Sequence, residues 1–164
     1  MPKKFEFTAV LEHPARDVHA ALTDERYWRD RVAASPTATV RIENPDGHGT
    51  LLVVVTERAE PSDMPALVRG VVRGPMIMER TDHWGALRAD GATGLVVGGA
   101  SGIPVDFRGT SRLRPTADGT VLAVRGEVTV KIPLVGRQIE GLAAKMIGKI
   151  VENDRDALAA WLTR

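Results

Sequence analysis

The chain of 164 residues contains no cysteine. That excludes thiol nucleophiles, disulfide staples, thiolate-held metals and covalent haem attachment together, and it fits a reducing compartment. Aromatic side chains are scarce too: three tryptophans, three phenylalanines and one tyrosine. A core must therefore be packed mainly from Val, Leu, Ile, Ala and Met. No window approaches the roughly 20 apolar residues of a bilayer span, and the opening MPKKFEFTAVLEHP carries no apolar leader. The expectation is a cytoplasmic protein with no stable membrane insertion. The formal net charge is only +1, with acids and bases interspersed, so no global field draws nucleic acid or an anionic surface.

Catalytic signatures are missing as well. His13, His19, His48 and His83 are the only histidines, and none pair as H-x-H, H-x-x-x-H or H-E-x-x-H, so spacing offers no metal site. His48 falls in a turn and His19 on a short surface helix, where solvated side chains are expected. Ser101 in GGASGIP lacks the G-x-S-x-G spacing of a hydrolase nucleophile, and no phosphate-binding glycine loop opens a helix. That segment reads as a bend between strands, bordering a pocket mouth at most.

What the chain does carry is a pattern. At 43% hydrophobic composition it is long enough for one domain with a real core. Phe5, Phe7, Ala9 and Leu11 alternate with Lys4, Glu6 and Thr8, the period of a half-buried strand. Pro14 opens a short helix through ARDVHAAL, and Asp24 caps a second through ERYWRDRVAAS. Alternation returns from Thr37, turns at PDGHG (Pro45 to Gly49) and runs back through LLVVVT. Further strands are expected at Met76 to Trp84, Thr93 to Ala100, Val105 to Arg114 and Val121 to Ile132. The row Arg108, Arg112 and Arg114 reads as a solvated convex face. Between the strands, Pro61 to Gly74 breaks the rhythm with prolines and glycines and reads as a lid.

The last stretch, Pro133 to Arg164, is one long amphipathic helix. Ile139, Leu142, Ala143, Met146, Ile147, Ile150, Val151, Leu158, Trp161 and Leu162 form a broad apolar stripe. Strands grouped together with the major helix at the end predict an α+β class with an antiparallel sheet. Beside the stripe lie Gly141, Ala144 and Gly148, and a glycine inside a helix costs about 1 kcal/mol. Either a close packing contact or a ligand is expected to fill that space. Asp154 projects from the stripe itself and needs a partner there.

The pieces DERYWRDR (Asp24 to Arg31), DMPALVRG (Asp63 to Gly70), Gly109-Thr110 and VKIPLVGRQIE (Val130 to Glu140) resemble an uncharacterised, mainly actinobacterial branch of the START-like, or SRPBCC, superfamily. The resemblance spans the whole chain as one domain, residues 1–164. It implies the helix-grip fold: two short helices after strand one, and six to seven antiparallel strands wrapped around a long C-terminal helix. It also implies a hydrophobic cavity, which members use for lipid or polyketide binding, for aromatase and cyclase chemistry, or for protein partnering.

Alternation and the helical stripe then nominate Met76, Met78, Trp84, Val105, Phe107, Leu122, Val124, Met146 and Ile150 as cavity walls. Arg80, His83 and Asp154 are the candidate polar contacts. Asp82 and His83 are strand neighbours facing opposite sides, so they form no dyad. The reading is a binder or carrier of a small hydrophobic or amphipathic molecule, with no catalytic residue, cofactor or metal. The alternatives are a cyclase or dehydratase acting in the same cavity, and a protein-interaction module with a filled core.

Overall fold

In the first strand, Phe5, Ala9 and Leu11 are buried while Lys4, Glu6, Thr8 and Val10 are exposed, so the alternation of the sequence becomes an inner and an outer face. The computed structural model describes residues 2–44 and 46–164. Seven antiparallel strands form one sheet: β1 (Lys3–Leu11), β2 (Ala38–Glu43), β3 (Leu51–Ala59), β4 (Met76–Trp84), β5 (Ala92–Ala100), β6 (Val105–Thr116) and β7 (Gly119–Val130). Their order is β1-β7-β6-β5-β4-β3-β2. Neighbours in sequence pair directly from β2 to β7, and β1 closes onto β7. The expected β2–β3 turn is described from Asp46 onward, Pro45 lying outside the described residues.

The sheet curves where Gly109 of β6 faces Gly126 of β7. A Cβ on either would run into the backbone of the other strand, so only glycine permits this bend. The concave face receives α4 (Gly136–Leu162), 27 residues long, or about 40 Å at 1.5 Å per residue. Before it, β7 ends two residues sooner than the alternation suggests. Lys131 N donates to the Pro104 carbonyl and the chain then turns. In that turn Leu134 adopts φ 72° with its side chain 98% exposed. Gly136 then passes so near β7 that a Cβ would sit 2.8 Å from the Val130 carbonyl oxygen. The buried Glu140 carboxylate accepts a hydrogen bond from Val130 N at 2.9 Å, which fixes the first turns of α4 against the end of β7.

The short helices are α1 (Ala15–Leu22), α2 (Glu25–Ala33) and the single turn α3 (Ala66–Arg69). Asp24 accepts from Arg26 N at 2.8 Å and caps α2 as its position in the sequence predicts. Helices α1 and α2 plug one end of the sheet. There Val18, Leu22, Trp28, Leu51, Val53, Trp84, Leu113, Leu122 and Leu158 form a closed core. Tyr27 packs edge-on to Trp28 and Trp161, and Trp28 Nε1 donates to the Leu22 carbonyl at 2.8 Å. His19 belongs to this plug. It is buried and its Nε2 lies 2.9 Å from the Gly85 carbonyl oxygen, which corrects the expectation of a solvated surface residue: α1 turns that face toward the β4–β5 loop.

Candidate functional site

The other end of the sheet is hollow. A cavity of about 620 Å³ lies between the concave sheet, α2, the 61–68 segment and α4, within the size range that holds a small organic ligand. Met76, Met78, Val105, Phe107, Met146 and Ile150 line it, six of the nine wall residues nominated from sequence, together with Val55, Met64, Val68, Ile103, Ile139, Leu142, Ala143 and Ile147. Phe107 can lie across its neighbour because Gly98, opposite it on β5, has no Cβ to meet the ring. Methionines at four of these positions, Met64, Met76, Met78 and Met146, supply adaptable walls. Met146 remains 47% exposed in the middle of α4, its side chain facing open cavity rather than protein.

Trp84, Leu122 and Val124 do not line the cavity. All three point inward as alternation requires, yet Trp84 and Leu122 sit in the closed core and Val124 packs between that core and the Phe5–Val128–Ile147 cluster. The sector Gly141, Ala144 and Gly148 also lies elsewhere. It floors an outer groove of about 660 Å³ between β1 and α4, bordered by Lys3, Lys4, Lys145 and Lys149. Gly148 is there because of Phe7: a Cβ would stand 2.7 Å from the ring.

One end of the cavity is charged. Asp154 accepts from Arg31 Nη2 at 3.0 Å through Oδ1 and from Arg80 Nη2 at 2.8 Å through Oδ2. Arg80 also donates to Asp82 Oδ1 at 3.0 Å, and its Nε lies 2.7 Å from Asp82 Oδ2, off the line of a hydrogen bond. These groups come from α2, β4 and α4, so the cluster ties three elements at the point where the solid core gives way to the cavity. Arg80, Asp154 and Arg31 line the space and Asp82 lies behind.

Burial works against the Arg80 charge, but Asp154 and Asp82 outweigh it and hold the guanidinium above its ordinary range. Asp82 responds the other way. Burial pushes its carboxyl above the usual carboxylate range, with Arg80 pulling down less strongly. Close by, burial and then Asp154 raise the Tyr27 phenol, against the opposing pull of Arg31 and Arg80. Of the three nominated polar contacts, Arg80 and Asp154 meet in this cluster and His83 does not. His83 is on the outer face of β4, its Nε2 2.8 Å from Asp46 Oδ2. Arg31, Asp82 and Tyr27 were not nominated as contacts. The unpartnered Asp154 in an apolar stripe was the signal that a cation had to meet it.

A seven-stranded sheet gripping one long helix defines a START-like, or SRPBCC, fold. The similarity extends to a START superfamily protein from Mycobacterium smegmatis, 15% identical with a TM-score of 0.57 over 98% of this chain and 97% of that one. It extends also to an aromatase/cyclase from Streptomyces, 17% identical with a TM-score of 0.60 over 100% and 95%. Within that class, the chain belongs to the family described as protein of unknown function (DUF2505), whose model matches residues 6–162. An uncharacterised protein of Mycobacterium tuberculosis is 27% identical over 171 residues, covering 99% of this chain and 98% of its own length.

Proposed function

We propose that the protein binds and carries a small hydrophobic or amphipathic molecule in the cavity between its sheet and α4. The observation that carries this reading is a partly open cavity of about 620 Å³ with methionine and aliphatic walls, among which Met146 is left 47% exposed. Apolar surface left bare inside a fold forfeits the stabilisation of its burial, about 25 cal/mol per Å², until an apolar guest restores it. A filled interaction module would have no such space.

The alternative is cyclase-type chemistry in the same space, which the fold shared with an aromatase/cyclase keeps in view. Ionisable groups do line the cavity, and that favours an enzyme only if one of them can move a proton. Guanidiniums hold their charge at every working pH, and both oxygens of Asp154 are occupied by guanidinium donors. The Arg31–Arg80–Asp154 end is therefore suited to holding a group in place rather than to acid–base exchange, which leaves Glu57, Asp63 and Glu79 as the lining carboxylates that an enzyme would have to use. No membrane-crossing helix occurs among the described residues, and the lack of cysteine supports a reducing, cytoplasmic setting for the carrier.

The test is uptake of a neutral environment-sensitive dye such as Nile red, with native mass spectrometry of protein taken from its own host. Saturable uptake lost in Met146→Trp and Ile150→Trp, with folding intact, is the expected result. Equal uptake by wild type and both variants would remove the cavity from the account.

A further inference from the structure

We propose that the Arg31 end of the cavity receives a neutral hydrogen-bond-accepting head, a ketone- or ester-type carbonyl, and discriminates against carboxylates. This inference rests on the carrier reading and names the ligand class within it. Two observations carry it.

The first is an unused donor. Arg80 is spent on Asp82 and Asp154, whereas Arg31 commits only Nη2, to Asp154. Nη1 makes no hydrogen bond of good geometry among the described residues, although Arg31 stands close enough to the Tyr27 hydroxyl to pull its phenol down, and Nη1 is the donor open to the cavity. Arg31 Nε is also unpartnered but is sealed from the cavity surface. The side chain is 29% exposed and lines the cavity. A guest that displaces water from Nη1 must bring an acceptor in its place or leave that donor unmade, so a head with an acceptor is favoured here. The group is a donor with no acceptor capacity, which rules against a head that itself only donates.

The second is the charge around that donor. Besides Asp154, the cavity lining includes Glu57, Asp63 and Glu79, while Arg31 and Arg80 are its only cations among the described residues, and Asp82 stands behind Arg80. Glu57 is held by the Ser35 hydroxyl at 2.8 Å, without a cationic partner among the described residues. The two guanidinium charges are already matched by Asp154 and Asp82. A carboxylate guest would bring a further negative charge into a weakly solvated space that has no free positive charge to receive it. A carbonyl accepts the same hydrogen bond without that penalty. The apolar body would lie along Met78, Phe107 and Met146.

The experiment is displacement of bound Nile red at neutral pH by two guests with the same undecyl tail, methyl undecyl ketone and lauric acid. Wild type should release the dye to the ketone at a concentration at least about tenfold lower than to the acid, because only the acid brings an unmatched charge into the cavity. Arg31→Gln should weaken the ketone about tenfold once the variant's own Nile red affinity, measured by direct titration, is taken into account. Glu57→Gln should strengthen lauric acid and leave the ketone unchanged; this variant stands in if Arg31→Gln does not fold. Lauric acid competing as well as the ketone, or Glu57→Gln without effect on the acid, would overturn the head-group inference and leave the carrier reading standing. No uptake of Nile red by wild type would overturn both.

Discussion

Arg80 of β4 donates to Asp154 of α4 at 2.8 Å, and this bond joins the centre of the sheet to the helix it grips. The pair is shielded from solvent, with side-chain exposures of 24% and 11%. Removing one member therefore strands the other.

Asp154→Ala should destabilise the protein by about 3 kcal/mol, the cost of an uncompensated buried charge. Urea unfolding measures it. The double variant Arg80→Met with Asp154→Leu should lose much less than the sum of the single changes, because it leaves neither charge unmatched. Strict additivity would mean that the two side chains do not depend on each other.

Tyr27 is the chain's only tyrosine, so phenolate absorbance reports this residue alone. Its folded-state proton is held above the ordinary value of 10.0, by burial first and then by Asp154. The unfolded chain releases its phenolic proton first as pH passes about 10. The stability that Tyr27 contributes is thus fully present below that pH and is lost above it. Native protein should show no phenolate signal until it unfolds, and Tyr27→Phe should flatten the fall in urea midpoint between about pH 9.5 and about pH 11. A normal titration of the folded protein near pH 10 would contradict the burial argument.

Gly148→Leu should cost about 1 to 3 kcal/mol through overpacking against Phe7 while leaving Nile red uptake unchanged. Phe7→Ala should recover part of the loss. Of the two fillings the sequence leaves open at Gly148, the structure supplies the packing contact, because the glycine faces an aromatic ring and the cavity lies on an adjoining face of α4. Loss of dye uptake in Gly148→Leu at unchanged melting temperature would favour the ligand instead.

The segment from Pro61 to Gly74 holds a 3₁₀ turn and the single turn α3, and it rests on the cavity through Met64 and Val68. Short elements with few long-range hydrogen bonds open easily. Amide exchange there should be fast in the free protein and slow once an apolar guest is bound. Strand-like protection in both conditions would exclude this segment as the route of entry.

The fold was largely legible because its signals are local. Strand β4 begins at Met76 and ends at Trp84 as its alternation predicts, Asp24 caps α2, and the apolar stripe of α4 needs only nearest-neighbour arithmetic on a helix. The site was legible in part, for a geometric reason. Alternation reveals which face of the sheet a residue occupies but not how far along the strand the filled core extends. Trp84 and Met76 share a face of β4, yet one is packed beneath α1 and α2 while the other borders open space. The charged cluster was legible only as a need. Asp154 meets Arg80 and Arg31 across sequence separations of 74 and 123 residues, and no periodicity within α4 names partners so distant. His19 was misread, and Gly148 left undecided, for the same reason, their neighbours Gly85 and Phe7 lying on strands or loops far away in sequence.

Helix α4 is held at two polar points, Glu140 on the backbone of β7 and Asp154 on the arginines of α2 and β4. They stand about 21 Å apart along the helix axis, and Leu142, Ala143, Met146, Ile147 and Ile150 hang between them over the cavity. Ala144, Ile147 and Gly148 seat that span against β1 and β7, so the helix does not depend on the cavity side chains Leu142, Met146 and Ile150 for its position. Those three can change size with little effect on how the helix is seated, so homologous chains can hold differently shaped guests while keeping the same frame. Such a division separates the residues that answer for folding from those that answer for contents, and it makes the interior of this protein open to retailoring by single substitutions.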